Sequence, residues 1–190
     1  MLQRLFLGFA PTCIQRQQLL QLQQSLRSQL APHANPVTQA NLHLTLAFLG
    51  LVNQTQLAQL IQGVDKLSKP KFTVTLDSIA VWPKAQVYCL KGENVSTELA
   101  LLASQAQDLA KQLQLHRSEH PFRPHISLFR KAKSLGVFEN ELTLRELAQR
   151  DLAHAQMTAL TLAPEQLHLY LSTSGDCGVE YQILHSWSLE

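Results

Sequence analysis

His43-Leu44-Thr45-Leu46 and His125-Ile126-Ser127-Leu128 are two copies of one pattern, 82 residues apart (43 to 125) in a chain of 190. In each, a histidine and a hydroxyl residue stand two positions apart among apolar residues. Side chains at i and i+2 of a β-strand project from the same face, so each copy sets an imidazole beside a hydroxyl. Five places beyond each histidine comes a side chain suited to a ligand, Phe48 in the first copy and Arg130 in the second. Two such strands facing each other can divide proton work, one imidazole giving a proton while the other takes one.

The segments around the motifs fit two similar halves. Arg4 to Phe9 reads as a strand; Pro11 and Thr12 then break the chain before a Gln- and Leu-rich helix whose apolar stripe is Leu19, Leu22, Leu26 and Leu30, with the glutamines on its wet face. Leu42 to Leu49 is the first motif strand and Thr55 to Leu67 a second helix. Phe72 to Leu76 alternates as a half-buried strand, and Gln86 to Leu90 reads as a strand returning after a turn at Trp82-Pro83-Lys84. Thr97 to Leu115 has a helical stripe, Phe122 to Phe129 carries the second motif, and Leu142 to Ala153 has helix-forming composition. Gln166 to Leu171 and Tyr181 to Leu184, with Trp187, are late strands around a turn at Gly175 to Gly178. A helix precedes the motif strand in both halves. The expected fold is therefore α+β and two-lobed, with antiparallel sheets related by a rough twofold and His43 and His125 on opposite walls of one cleft. With no Gly- or Ser-rich linker, residues 1–190 read as one compact domain.

Composition narrows the function. A hydrophobic content of 45% suits a sizeable core, and neither a leader nor the roughly 20-residue apolar run of a membrane span is evident, so a soluble cytoplasmic chain is expected. Cys13, Cys89 and Cys177 lack metal or redox spacing and are expected to be buried small apolar residues. The net charge of +2 is small. Between Lys111 and Lys133, however, six basic residues stand against one acid, Glu119, a field that suits an anionic, phosphate-bearing ligand.

Hydrolysis of a cyclic phosphodiester needs a proton taken from water, a proton given to the departing sugar oxygen, and donors around the nonbridging oxygens. Histidine suits both proton steps. Thr45 and Ser127 are placed to donate hydrogen bonds to phosphoryl oxygens, Arg130 to add a fixed charge, and Phe48 to stack on a nucleobase. Strict alternation puts Phe48 and Arg130 on the faces opposite their histidines, so both reach the cleft only where the strand ends or bulges. One such histidine alone reads as an ordinary strand residue; duplication with matched flanks points to catalysis. His116 and His120 have the spacing of helical metal ligands but sit where the helix should have ended, and no metal is assigned. His154, His168 and His185 read as structural or exposed, with His168 on the wet face of its strand. No glycine-rich phosphate loop is present, and no cofactor is expected.

The strings HLTLAFLG and FRPHISLFR, with RLF near the start and LYLS…G…Y near the end, resemble the 2H phosphoesterases, within them the bacterial RNA 2′,3′-cyclic phosphodiesterases, also called 2′-5′ RNA ligases. The resemblance implies a bilobal fold with a pseudo-twofold axis, helices on the outer faces and a central active-site cleft. It implies His43 as the acid that protonates the leaving 3′ oxygen and His125 as the base that activates water. Thr45, Ser127 and Arg130 would hold the phosphate and Phe48 the nucleoside. The implied partner is RNA with a 2′,3′-cyclic phosphate end, or a cyclic nucleotide, acted on by a monomer without metal; ligation is the same reaction run backwards. A noncatalytic RNA-end binding module is the alternative. A metal-dependent hydrolase would need acidic residues that neither motif strand supplies. The segment from about Ala132 to Met157 is longer than is usual in the family.

Overall fold

A computed structural model describes residues 2–27, 34–132, 141–149, 157–175 and 178–190 of the chain. In chain order the elements are β1 (Gln3–Phe9), α1 (Cys13–Arg27), β2 (Asn35–Pro36), β3 (Leu44–Val52), α2 (Gln54–Asp65), β4 (Val74–Leu76), β5 (Ser78–Trp82), β6 (Val87–Lys91), α3 (Thr97–Gln112), β7 (His125–Arg130), β8 (Leu142–Thr143), α4 (Leu144–Gln149), β9 (Leu160–Leu162), β10 (Gln166–Gly175) and β11 (Gly178–Ser188). The fold is α+β, as expected.

The helices begin where capping chemistry allows. Thr12 and Gln15 exchange backbone-to-side-chain bonds at the head of α1. Asn53 and Gln56 form a reciprocal capping box on α2, and the Ser96 hydroxyl accepts from Leu99 N on α3. Buried leucines on one face of each helix join β-strand residues such as Leu5, Leu7, Phe9, Leu44, Leu49, Ile126 and Leu128 in one hydrophobic core.

The large antiparallel sheet runs β11-β10-β1-β3-β7-β6-β5-β8, with β2 paired to β7, and β4 and β9 form a separate two-stranded sheet. Its two wings meet where β3 and β7 pair through a single residue couple, Leu44 opposite Ile126. That junction sets the two motif strands side by side at the middle of the molecule.

Several expectations are corrected. The strand at 86–90 does return after the turn at Trp82-Pro83-Lys84, and it returns onto β5, which the sequence reading does not assign; β4 pairs across 86 residues with β9, also unassigned. The glutamines of α1 are not all wet: Gln23 is buried and its Nε2 donates to the carbonyls of Val37 (2.9 Å) and Leu128 (2.7 Å). Cys13 is exposed and Cys89 is buried. Leu30, Cys177, His154 and most of the segment from 132 to 157 lie outside the described residues.

Candidate active site

Each motif strand carries a bulge, and the bulges occupy equivalent places. Thr45 pairs with Gly8 and Ala47 with Leu7, leaving Leu46 without a partner; Ser127 pairs with Cys89 and Phe129 with Tyr88, leaving Leu128 without one. The two unpaired residues are again 82 apart. An extra residue flips the alternation that follows it. Phe48, paired with Phe6, therefore shares the face of Thr45, and Arg130, paired with Val87, shares the face of Ser127 and His125. The obstacle posed by strict alternation is removed twice by the same device. In the second copy the freed carbonyl of Leu128 is satisfied by Val37 N (2.8 Å) and by Gln23, which ties α1 to the bulge.

The histidines are held alike. His43 Nδ1 lies 2.7 Å from the Asn41 carbonyl and His125 Nδ1 lies 2.8 Å from the Arg123 carbonyl. A carbonyl only accepts, so in both rings Nδ1 carries the hydrogen and Nε2 is left for chemistry. In neutral His43, Nε2 then accepts from the Thr45 hydroxyl at 3.0 Å.

Their surroundings differ. His43 is 9% exposed and packs against the rings of Phe6, Tyr181 and Tyr170, at 4.6, 5.0 and 5.9 Å. Burial pushes its pKa down to about 4; the Asn41 carbonyl opposes the shift, and the charges of Arg130 and His125 add to it. His125 stands edge-on to Trp82 at 4.4 Å. Burial lowers its pKa as well, opposed by the Arg123 carbonyl and aided by Arg130. Arg130 thus bears on both imidazoles, and its Nη2 donates to the Tyr181 hydroxyl at 3.1 Å.

Thr45, Phe48 and His125 line one cavity of about 440 Å³ whose other walls include Trp82, Phe122, Lys84 and Arg123. Ser127 lies on the same strand face as His125, though not in that lining. His116 and His120 both fall beyond α3, with His116 edge-on to Phe48 and His120 at the cavity wall. Among the described residues no group of three His, Cys, Asp or Glu side chains is placed to hold a metal.

Phe6, Trp82, Tyr170 and Tyr181 pack around the two histidines without a motif of their own. Tyr170 and Tyr181 stand inside the LYLS…G…Y string, and Phe6 within an apolar strand. His168 is a correction: it is buried on the face shared with the motif residues, with Nδ1 2.8 Å from the Ser186 hydroxyl.

The duplicated strand with two imidazoles held alike by backbone carbonyls is the feature to set beside known proteins. Residues 13–88 match the family model described as LigT like Phosphoesterase, the family that the chain is similar to. The chain is 37% identical to the Escherichia coli K12 protein named RNA 2′,3′-cyclic phosphodiesterase over 97 residues. These make up 51% of this chain and 55% of the relative, so the match spans little more than half of the relative's length. In three dimensions the likeness extends over the whole chain: E. coli LigT complexed with 3′-AMP is 28% identical with a TM-score of 0.82, covering 100% of this chain and 99% of that one. A Thermus thermophilus structure shares the fold at 22% identity and a TM-score of 0.76, covering 98% of this chain and 97% of that one.

Proposed function

We propose that this protein hydrolyses the 2′,3′-cyclic phosphate end of RNA to a 2′-phosphate end, by acid and base catalysis between His43 and His125 and without a metal. The observation that carries the reading is the matched tautomer of the two rings. Both are oriented by a backbone carbonyl two residues earlier, and the field of one bears on the other.

In this reading His125 Nε2 takes a proton from water as its oxygen attacks phosphorus, and His43 delivers a proton to the departing 3′ oxygen. His43 is neutral in the free protein because of burial. An arriving phosphate anion favours its charged form, so substrate itself loads the acid. Once Nε2 carries a proton it no longer accepts from Thr45, and that hydroxyl is released to donate to a phosphoryl oxygen. Ser127 and Arg130 serve the remaining oxygens, and Phe48 stacks on the base at roughly 1 to 3 kcal/mol. The two halves of the sheet act as one catalytic unit. Ligation follows from the same site when an RNA 5′-hydroxyl replaces water.

The test is turnover of a 2′,3′-cyclic phosphate oligonucleotide by the wild type and by His43→Ala and His125→Ala, with and without EDTA. Each substitution is expected to cut the rate by about 10² to 10⁴, with 2′-phosphate as the wild-type product and EDTA without effect. Near-normal turnover in either variant, or loss with EDTA, refutes the mechanism.

A further inference from the structure

The rows that cross the two wings of the sheet correspond position by position. From Phe48 the first runs to Phe6 and Tyr170, and from Arg130 the second runs to Val87 and Trp82, so Trp82 stands where Tyr170 stands. Directly paired residues share a face. The middle residue of each row decides what the outer ring does. Phe6 stacks on Tyr170 at 4.7 Å and, with Tyr181, closes over His43. Val87 is too small to fill the equivalent place. The Trp82 ring packs on Val87, Ala80 and Cys89 and reaches His125 at 4.4 Å.

The result is an asymmetry at the reacting centre. His43 is walled in and lines no part of the cavity of about 440 Å³, whereas His125 is partly exposed and lines it together with Trp82 and Phe48. His125 takes the proton of the attacking group, so the open room lies on the side from which the nucleophile comes. A single water needs only about 15 Å³ of such space. Phe48 and Trp82 lie on strands three places apart in the sheet, β3 and β5, so they are separate platforms. The cavity wall carries Lys84 and Arg123 and no carboxylate, which suits the phosphates of a nucleic acid.

We propose that Trp82 is the platform for the base of an RNA 5′-hydroxyl end, with Lys84, two residues on at the β5–β6 turn, against the phosphate on the 3′ side of that nucleotide. The site rests on the reading of the catalytic centre given above, and it gives the protein an acceptor site for 2′-5′ joining beside its hydrolysis. In the step it serves, the 5′ oxygen bonds to phosphorus and gives its proton to His125 Nε2. The bond from phosphorus to the 3′ oxygen breaks, and His43 gives a proton to that oxygen. One phosphate ester bond is exchanged for another, so no cofactor is consumed.

The test mixes an RNA oligonucleotide ending in a 2′,3′-cyclic phosphate with the 5′-hydroxyl dinucleotide ApA and resolves joined from hydrolysed product. The joined fraction is expected to rise and saturate with ApA. Trp82→Leu, apolar but without a ring to stack, should lower the ratio of joined to hydrolysed product about 5- to 100-fold. Lys84→Ala should lower it for ApA more than for adenosine, which has no phosphate. Should Trp82→Leu not fold, quenching of wild-type tryptophan fluorescence by ApA in saturating 2′-AMP is the second readout, because Trp187 is buried. A ratio unchanged by Trp82→Leu, hydrolysis with no joined product at any ApA concentration, or quenching by ApA that 2′-AMP abolishes overturns the acceptor site and leaves the catalytic reading standing. Quenching that persists in a protein unable to hydrolyse the cyclic phosphate would refute the catalytic reading and leave Trp82 as a base platform.

Discussion

Burial of His43 has a consequence for stability that can be worked through. Its pKa lies at about 4 in the folded protein against 6.5 for a free imidazole. Between those values the unfolded chain binds a proton that the folded chain refuses. Its contribution is thus fully present above about pH 6.5 and is lost as pH falls through 4. The loss amounts to about 2 kcal/mol at pH 5 and about 3 kcal/mol at pH 4. The assay is urea unfolding of the wild type and of His43→Gln at several pH values from 7 to 4, read as the difference between the two proteins so that other titrating groups cancel. Gln cannot titrate and keeps a neutral polar side chain. The wild type should lose about 3 kcal/mol relative to the variant across that range. Parallel pH dependence, within about 0.5 kcal/mol, would refute the claim that the ring is held neutral by burial.

Three further outcomes are expected. A Cβ on Gly8 would sit 2.6 Å from the Leu44 carbonyl oxygen, backbone against which nothing can swing away; Gly8→Ala should cost about 1 to 3 kcal/mol in denaturant unfolding and slow hydrolysis, and a neutral result would show that β1 and β3 part freely. Tyr181→Phe keeps the ring beside His43 but removes the acceptor for Arg130; stability should change by no more than about 0.5 kcal/mol while hydrolysis falls, and unaltered kinetics would remove Arg130 from the mechanism. Because both histidines are shifted downward, kcat/KM should follow a bell whose maximum lies below about pH 6.5, and a rise continuing to pH 8 would contradict the assignment of both protons to these rings.

How much of this was legible in the sequence depends on the range of the interaction that decides it. His43, Thr45, His125 and Ser127 are readable because period two is local and is written twice. The fold class followed from the same repeat, since helix and motif strand recur in order. Phe48 and Arg130 were readable only as ambiguities, because a bulge at Leu46 or Leu128 leaves no mark among apolar neighbours; it is fixed by pairing with Leu7 and Gly8 or Tyr88 and Cys89. The β4–β9 pair was hidden by sequence distance and by short strands. Gln23 looked like one more wet glutamine because its partners, Val37 and Leu128, are set by tertiary packing. The aromatic wall of Phe6, Tyr170 and Tyr181 comes from three strands, so no single stretch of sequence announces it.

If His43 and His125 act on one phosphorus atom, a crystal structure with a 2′-phosphorylated nucleotide will show a single phosphoryl group between the rings, with each Nε2 within about 3.2 Å of a different oxygen of that group. A phosphate held by one imidazole alone, or seated away from both, would contradict it.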